Sequence, residues 1–310
     1  MNMPIPMDRF GLNAVLEKGL RRQTAAGFID AHHHVWDLTR RPQPWLAEPA
    51  LRALRRSFST TDLAADAAAG LCGRTLTATV LVQCLPLLAE TEEILGLAQQ
   101  DQLVVGVVGW VDLTDPRVGS QLDRIRNLPG GQLLVGVRHL VQGESDPRWL
   151  LRTDVRRGLD EVAERGLCYD LLILPHQLPA AATLAVEAPH LRLVLDHAAK
   201  PPLRSGDLAE WTEGVRSLSA APQVVCKFSG LITEADHESW STKDLRPVTE
   251  VLLEEFGPQR LMFGSDWPVC RVAGGWAAWA TAAEDLLTPL SPADLDHILQ
   301  GTARRAYGLG

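Results

Sequence analysis

The feature of this chain that most constrains its fold is an alternation of β-prone and helix-prone segments. Eight apolar runs rich in β-branched residues alternate, for the most part, with segments whose apolar residues recur at helical spacing. The runs cover residues 28–36, 75–85, 103–113, 133–141, 167–174, 191–197, 224–229 and 260–266. Strands that alternate with helices pair in parallel through right-handed crossovers, so eight units favour a closed α/β barrel, the (β/α)8 or TIM barrel, over an open sheet.

The sequence predicts helices between most of these strands and after the last one. They cover residues 91–100, 118–127, 154–165, 207–219, 244–256, 276–287 and 292–307. Several begin near Asp, Ser or Thr, which cap helix N-termini, and Pro292 follows Ser291 at a first-turn position.

The length of the chain, 310 residues, permits either two domains or one α/β barrel. A doubly wound sheet is the alternative fold. However, no glycine-rich phosphate loop follows the first run, and neither Gly-x-Gly-x-x-Gly nor a Walker motif occurs in the sequence. We therefore expect a barrel over residues 27–310, preceded by a short helical extension over residues 1–26.

The N-terminal extension is weakly amphipathic, with Leu12, Val15, Leu16 and Leu20 on one side, and it lacks the apolar core of a secretory signal. We expect it to cover one end of the fold. The alternative is a contact between the two subunits of a homodimer.

Charge and composition exclude several classes of function. The net charge of −8 argues against a nucleic-acid partner, and no apolar run is long enough to cross a membrane. The five cysteines form no Cys-x-x-Cys pair, which is typical of reduced thiols in a cytoplasmic protein.

Unusual polar residues cluster at the C-terminal ends of the predicted strands. In a barrel these ends surround one mouth, where barrel enzymes carry their chemistry. A set of buried polar residues with only structural roles would be scattered along the strands instead. The residues at the strand ends are His32, His34, Gln83, Arg138, His139, His176, Asp196, His197, Lys227, Ser229 and Asp266.

The first strand carries three consecutive histidines. Side chains alternate along a strand, so His32 and His34 point the same way and His33 points the other way. Two imidazoles that converge from one strand end can hold a metal or a reacting carbonyl oxygen. The alternative is a chance histidine run on a loop.

Asp266 follows the apolar last strand, which would bury its carboxylate. A buried carboxylate needs a partner, so Asp266 is a candidate general base or metal ligand, with a structural ion pair as the alternative. Alternation places Asp196 and His197 on opposite faces. We expect His197 to enter the mouth and Asp196 to bond outside the barrel.

Taken together and in order, these segments resemble the lactonase branch of the amidohydrolase superfamily, the Amidohydrolase 2 family. The resemblance runs from about Gly27 to the end of the chain. The matching segments are Ile-Asp-Ala-His-His-His at 29–34, Gly-Val-Arg-His-Leu-Val-Gln at 136–142, Tyr-Asp-Leu-Leu at 169–172, Leu-Asp-His at 195–197 with Lys-Pro at 200–201, Cys-Lys-Phe-Ser-Gly-Leu at 226–231, and Phe-Gly-Ser-Asp-Trp-Pro at 263–268.

The resemblance implies a barrel of the metal-dependent hydrolase type that opens a lactone ring, most often that of a sugar lactone, to the hydroxy acid. It makes His32, His34, His197 and Asp266 the catalytic set, with Asp266 taking a proton from water. Members with two metals carry a carboxylated lysine on strand 4, whereas this strand ends in Val-Arg-His. At most one divalent metal, zinc, is therefore expected on these four residues, and its requirement is open.

The resemblance also suggests residues that bind the substrate. The candidates for its hydroxyl or carboxylate groups, and for the wall of the pocket, are Gln83, Arg138, His139, His176, Lys200, Trp36 and Trp267. Trp45 is a further candidate for the wall, with core packing as its alternative role.

Four other functions remain as alternatives, of which hydrolysis of amides or phosphoesters is the weakest. Related barrels decarboxylate aromatic or unsaturated acids with a similar residue set, and others open lactones of aromatic degradation. A non-catalytic barrel that binds a sugar acid is the third. Retention of a base that faces a histidine cluster argues against that third function, because binding alone needs no base.

Overall fold

A computed structural model of the protein describes residues 27–310. The predicted extension over residues 1–26 lies outside the described residues. The strands are β1 (Gly27–His33), β2 (Thr75–Val82), β3 (Val104–Gly109), β4 (Leu134–His139), β5 (Cys168–Leu171), β6 (Arg192–Leu195), β7 (Val224–Phe228) and β8 (Leu261–Phe263).

The strands form the predicted TIM barrel. All eight lie in one sheet in chain order, and each pairs in parallel with the next. The segment that follows β8 closes the ring against β1. There the backbone N–H of His34 donates to the carbonyl of Trp267 at 2.7 Å, and the N–H of Asp266 donates to the carbonyl of His32 at 2.8 Å. His32 and His34 on β1 are therefore neighbours of Asp266, although they are far from it in the sequence.

Helices connect the strands and surround the barrel. They are α1 (Thr60–Asp66), α2 (Leu88–Gln100), α3 (Val118–Arg126), α4 (Thr153–Glu164), α5 (Leu178–Glu187), α6 (Ala209–Ser219), α7 (Leu231–Glu234), α8 (Thr242–Glu255), α9 (Gly275–Leu287), α10 (Pro292–Asp296) and α11 (Thr302–Tyr307). The seven predicted helices are present, but the last is divided into α10, a π-helical turn at His297–Gly301, and α11. Helices α1, α5 and α7 lie outside the predicted helical segments.

Local sequence explains where several helices begin. Ser59 and Asp62 form a capping box at α1, with the Asp62 carboxylate accepting from the backbone N–H of Ser59 at 2.9 Å. Ser291 caps α10 ahead of Pro292, as predicted. None of the helices in residues 27–310 has both the length and the hydropathy needed to span a membrane. All five cysteines lie in this part of the chain and are unpaired.

The apolar core has two layers. The larger one fills the space between the helices and the outside of the barrel, and the smaller one fills the barrel interior. Helix α11 closes the N-terminal end of the barrel, where the carbonyl of Ala306 accepts from Arg192 at the start of β6 at 3.0 Å. From this helix, Tyr307 enters the interior and its hydroxyl donates to the carboxylate of Asp170 at 2.7 Å.

All eight strands end one to four residues earlier than predicted, and two of these ends matter for the site. Strand β6 stops at Leu195 and β8 at Phe263, because the chain then turns out of the sheet. His197 and Asp266 have positive φ angles of 50° and 54°, which L-residues rarely adopt. Strand alternation therefore does not govern the directions of these two side chains.

Candidate active site

Three imidazoles and one carboxylate converge at the C-terminal mouth of the barrel. Nε2 of His32 lies 3.2 Å from Nε2 of His34. Oδ1 of Asp266 lies 3.5 Å from Nε2 of His34, and 3.8 Å from Nε2 of both His32 and His197. His32 is fully buried, whereas the other three are between 5% and 6% exposed, so they form the surface that a small molecule would meet.

Strand β1 aims its histidines as alternation predicts. His32 and His34 point into the mouth, and His33 points away, where its Nε2 lies 2.9 Å from the hydroxyl of Thr79. Nδ1 of His34 lies 2.7 Å from the carbonyl oxygen of Val82 on β2, which fixes the ring against the neighbouring strand.

His197 reaches the mouth from a left-handed turn. Its Nδ1 lies 2.9 Å from the hydroxyl of Ser229, which follows β7. Gly230 is next to this contact, and an added Cβ there would lie 2.6 Å from Nδ1 of His197. The absence of a side chain at Gly230 is therefore what leaves room for the imidazole.

Ser265 and Asp30 position the loop that carries Asp266. The hydroxyl of Ser265 donates to one carboxylate oxygen of Asp30 at 2.5 Å, and the backbone N–H of Ser265 donates to the other at 2.8 Å. Burial raises the pKa of Asp30 to about 6. Asp30 thus connects β1 to the residue that precedes Asp266.

The protonation states of the mouth follow from burial and from mutual contacts. Burial lowers the pKa of His197 to about 4 and that of His32 well below its ordinary value. Burial alone would raise the pKa of Asp266, but the facing His197 and the contact with His34 outweigh it and leave this pKa below its ordinary value. At neutral pH an ionised carboxylate therefore faces two neutral imidazoles, those of His32 and His197.

A buried ionic cluster lies directly beneath the mouth. The ammonium of Lys227 lies 2.6 Å from Oδ2 of Asp170 and 2.9 Å from Oδ1 of Asp196. The guanidinium of Arg138 donates to Oδ2 of Asp196 at 3.0 Å. Asp170, Asp196 and Lys227 have no exposed surface. Burial raises the pKa of Asp170, whereas Lys227 and His32 overcome the effect of burial at Asp196 and hold its pKa low.

This cluster corrects the prediction that Asp196 bonds outside the barrel. Asp196 faces the interior beneath His32, and His197 also faces the mouth, because the left-handed turn that begins at His197 breaks the alternation. The sequence pattern assigns no individual role to Lys227 or Asp170. The signal for both was a charged residue inside an otherwise apolar strand, which has to be paired when it is buried.

The donor set of the mouth fits a single zinc ion. Four ligand atoms around tetrahedral zinc lie about 3.4 Å from one another when the bonds are about 2.0–2.1 Å. Nε2 of His32, Nε2 of His34 and Oδ1 of Asp266 lie 3.2–3.8 Å from one another, and Nε2 of His197 lies 3.8 Å from the same carboxylate oxygen. The outer nitrogen of each ring also has an oxygen partner, which is typical of histidines that bind a metal.

The predicted substrate-binding residues differ in how far their polar groups are already engaged. The side-chain amide of Gln83 donates to the carbonyl of Arg138 at 3.1 Å, and both residues are buried. The ammonium of Lys200 donates to Glu234 at 3.0 Å and is partly exposed. His139 is stacked on Trp149 and lies 2.7 Å from a carboxylate oxygen of Glu144, to one side of the histidine cluster.

His176 is exposed in the short turn Pro175–Gln177 that follows β5. The indole N–H of Trp267 donates to Asp66 at 2.7 Å and its side chain is fully buried, so the structure corrects its prediction as a pocket wall.

Trp36 donates its indole N–H to the carbonyl of Arg56 at 2.7 Å and packs edge-on against Trp45. It lines a cleft of about 800 Å³ between the loop after β1 and helix α2. His32, His34, His197 and Asp266 do not line that cleft, which therefore lies beside the mouth and not over it.

Comparison with known families agrees with this geometry. A sequence profile described as Amidohydrolase matches residues 29–309, which is nearly the whole described chain. The chain belongs to the amidohydrolase family. This confirms the resemblance that the strand-end motifs suggested.

Two amidohydrolase relatives are similar over nearly their full length. The chain is 37% identical over 293 residues to L-fucono-1,5-lactonase of Burkholderia multivorans, across 91% of this chain and 96% of that protein. It is 34% identical over 285 residues to L-fucono-1,5-lactonase of Burkholderia ambifaria, across 90% and 94%.

A solved structure shares the fold closely. It is a crystal structure of an amidohydrolase from Burkholderia multivorans with bound zinc, and it matches with a TM-score of 0.83 at 35% identity, covering 92% of this chain and 100% of that one. A zinc ion in such a neighbour is consistent with the donor set of the mouth.

Proposed function

We propose that the protein is a carboxylic ester hydrolase that opens the ring of a sugar lactone to give the aldonic acid. The observation that carries this proposal is the carboxylate of Asp266, which lies 3.5–3.8 Å from three imidazole nitrogens at the barrel mouth. A base facing a cluster of electrophilic groups is what addition of water to an ester carbonyl requires. The two relatives named L-fucono-1,5-lactonase support the choice of a lactone.

The reaction divides its work between the carboxylate and the imidazoles. Asp266 takes a proton from water while the water oxygen forms a bond to the lactone carbonyl carbon. His32 and His197, the two neutral imidazoles beside Asp266, are placed to donate to the carbonyl oxygen as negative charge develops there. The bond between that carbon and the ring oxygen then breaks, and Asp266 returns its proton to the departing ring oxygen, so the products are one carboxyl and one hydroxyl group.

Zinc fits the same residues. His32, His34, His197 and Asp266 would hold the ion, and when bound it would supply Lewis-acid polarisation of the carbonyl. The protein's own contribution in either case is to keep His32 and His197 neutral and Asp266 ionised, which burial and their mutual contacts achieve.

The other polar residues at the mouth would orient the sugar. Lys200 is partly exposed and near enough to Asp266 and His197 to affect both their pKa values, so it is the first candidate to contact substrate oxygens. His139 and His176 are candidates at the rim. Arg138 and Gln83 are bound to each other below the rim and would act by supporting the histidines from beneath.

An L-fucono-1,5-lactone is the first substrate to test, since both relatives carry that name. We also propose that the protein is cytoplasmic, that it acts in carbohydrate metabolism and that it forms a homodimer.

The experiment is a pH-indicator assay against a panel of aldono-1,4- and aldono-1,5-lactones, with and without added Zn²⁺. Asp266→Asn is the matched control, because it removes the base and keeps the size of the side chain. We expect acid release by the wild type and a rate at least about a hundredfold lower in the variant. Equal rates in the two folded proteins would exclude Asp266 as the base.

If the wild type releases no acid from any lactone of the panel, the sugar-lactone proposal is refuted. Release of CO₂ from aromatic or unsaturated acids would then establish that the protein is a decarboxylase. Ring opening of lactones from aromatic degradation would establish that it is a lactonase of such a pathway.

A further inference from the structure

The ammonium of Lys227 makes three close contacts beneath the mouth. Its Nζ lies 2.6 Å from Oδ2 of Asp170, 2.9 Å from Oδ1 of Asp196 and 3.1 Å from Nδ1 of His32. An ammonium has three N–H donors and no lone pair. The contact with His32 is therefore favourable only if Nδ1 of that ring accepts, which places the single proton of the neutral ring on Nε2.

The other side of the His32 ring gives the same assignment when the His34 ring is neutral. Nδ1 of His34 lies 2.7 Å from the carbonyl oxygen of Val82, and a carbonyl only accepts, so the neutral His34 ring carries its proton on Nδ1. Nε2 of His34 is then an acceptor. It lies 3.2 Å from Nε2 of His32, and this contact is a hydrogen bond only if His32 donates from Nε2.

Two neighbours could favour the opposite tautomer. Oδ1 of Asp196 lies 3.3 Å from Nδ1 of His32, but Lys227 is nearer to both atoms. Nη1 of Arg138 lies 3.4 Å from Nε2 of His32, but its shorter contact, at 3.0 Å, is with Asp196. The shorter distances therefore agree on a proton at Nε2.

We propose that Lys227 is a positioning residue that holds His32 as the Nε2–H tautomer and so opposes binding of a metal at the mouth. The hydrogen bonds then run in one direction, from Lys227 through His32 and His34 to the carbonyl of Val82. A metal that binds Nε2 needs the lone pair on that atom. The ring proton must then move to Nδ1, where Asp196 accepts it and Lys227 loses its bond.

Lys227 and Asp196 thus have opposite effects on the same ring. Lys227 favours a mouth in which His32 presents an N–H donor, and Asp196 favours a mouth in which His32 presents a lone pair. The tautomer follows from the contacts of His32 alone and does not depend on which lactone, if any, is the substrate. A failure of the lactone assay therefore leaves this proposal standing, and the reverse is also true.

The first test is the wild-type protein without metal. Long-range ¹H–¹⁵N correlation spectra of protein labelled at histidine distinguish a protonated from an unprotonated ring nitrogen, and His32→Asn identifies the signals of His32. We expect a protonated Nε2 and an unprotonated Nδ1. The reverse pattern would overturn the proposal, and this test requires no variant of Lys227 to fold.

The second test removes the donor without changing the net charge. Lys227→Met combined with Asp170→Asn takes away one positive and one negative charge, and Asp170→Asn alone is the matched control that keeps the bond from Lys227 to His32. We expect the proton of His32 on Nδ1 in the double variant and on Nε2 in the control.

Zinc affinity gives a second readout for the same proteins, by competition with a chromogenic chelator. We expect the double variant to bind Zn²⁺ about tenfold more tightly than the wild type, since one charge-assisted hydrogen bond no longer has to be broken. The control should show no such gain. A double variant with the shifted tautomer and unchanged zinc affinity would overturn the link between Lys227 and the metal.

Discussion

Nη1 of Arg138 lies 3.0 Å from Oδ2 of Asp196, and the pair is buried beneath the histidines of the mouth. Arg138 also donates to the carbonyl of Gln83, and the amide of Gln83 donates back to the carbonyl of Arg138 at 3.1 Å. Arg138 therefore connects β2, β4 and the turn after β6 at one level of the barrel.

Replacement of Arg138 by Met should destabilise the protein by about 3 kcal/mol, because removing one partner of a buried ion pair leaves the other less compensated. Urea denaturation of the metal-free protein measures this. Arg138→Met combined with Asp196→Asn should lose less than the sum of the two single variants. Additive losses would show that the two side chains are not energetically coupled.

Gly230→Ala should displace His197. The added Cβ would lie 2.6 Å from Nδ1 of His197, and the residue has a positive φ of 66°. We expect kcat/KM for the best lactone to fall by about 10- to 100-fold, since small displacements of a reacting group have effects of this size.

Gly206→Ala is the matched control for this prediction. Gly206 has a positive φ of 71°, but no atom lies within 4 Å of the position of its Cβ. Both variants should lose about 1 kcal/mol of stability from backbone strain. Gly230→Ala should lose more because of its contact with His197, and only Gly230→Ala should lose activity. Equal activity losses in the two would indicate strain and not contact with His197.

Lys200→Met should raise KM for the lactone by about tenfold and leave kcat nearly unchanged, because an interaction made equally with substrate and transition state affects KM alone. Lys200 is held by Glu234 at 3.0 Å and remains partly exposed at the mouth. Lys243→Met on the exposed surface of α8 is the control. A fall in kcat with constant KM would instead place Lys200 in the chemical step.

The barrel could be predicted because its signal is repeated eight times along the chain and each repeat depends only on local periodicity. Helix α5 was missed because its core-facing residues are mostly Ala180, Ala181 and Ala185, and small apolar side chains give little contrast between the two faces of a helix. The split of the last predicted helix by a π-helical turn has no signal in the apolar pattern.

The histidines of β1 could be predicted for the same local reason, since alternation along a regular strand fixes their directions. Asp196 could not, because the left-handed residues that begin at His197 follow from tertiary contacts of the turn. The pairing of Lys227 with Asp170 joins residues 57 positions apart in the chain, and no local pattern contains such a contact.

His33 makes the stability of the protein depend on pH. It is fully buried, and burial lowers its pKa to about 3 from an ordinary value of 6.5. Between these two pH values the unfolded chain binds a proton at this residue that the folded protein does not. The free energy of unfolding should therefore fall as the pH is lowered from 6.5, by about 1.4 kcal/mol per pH unit for each histidine of this kind.

His33→Gln isolates this contribution, because glutamine does not titrate and keeps an N–H group near the hydroxyl of Thr79. Between pH 7 and pH 5 the loss of stability should be about 2 kcal/mol smaller in the variant than in the wild type, measured by urea denaturation at each pH. His190→Gln is the control, since that side chain is 59% exposed in the folded protein, and it should keep the wild-type pH dependence. The same pH dependence in His33→Gln and in the wild type would mean that His33 takes up a proton in the folded protein, despite its burial.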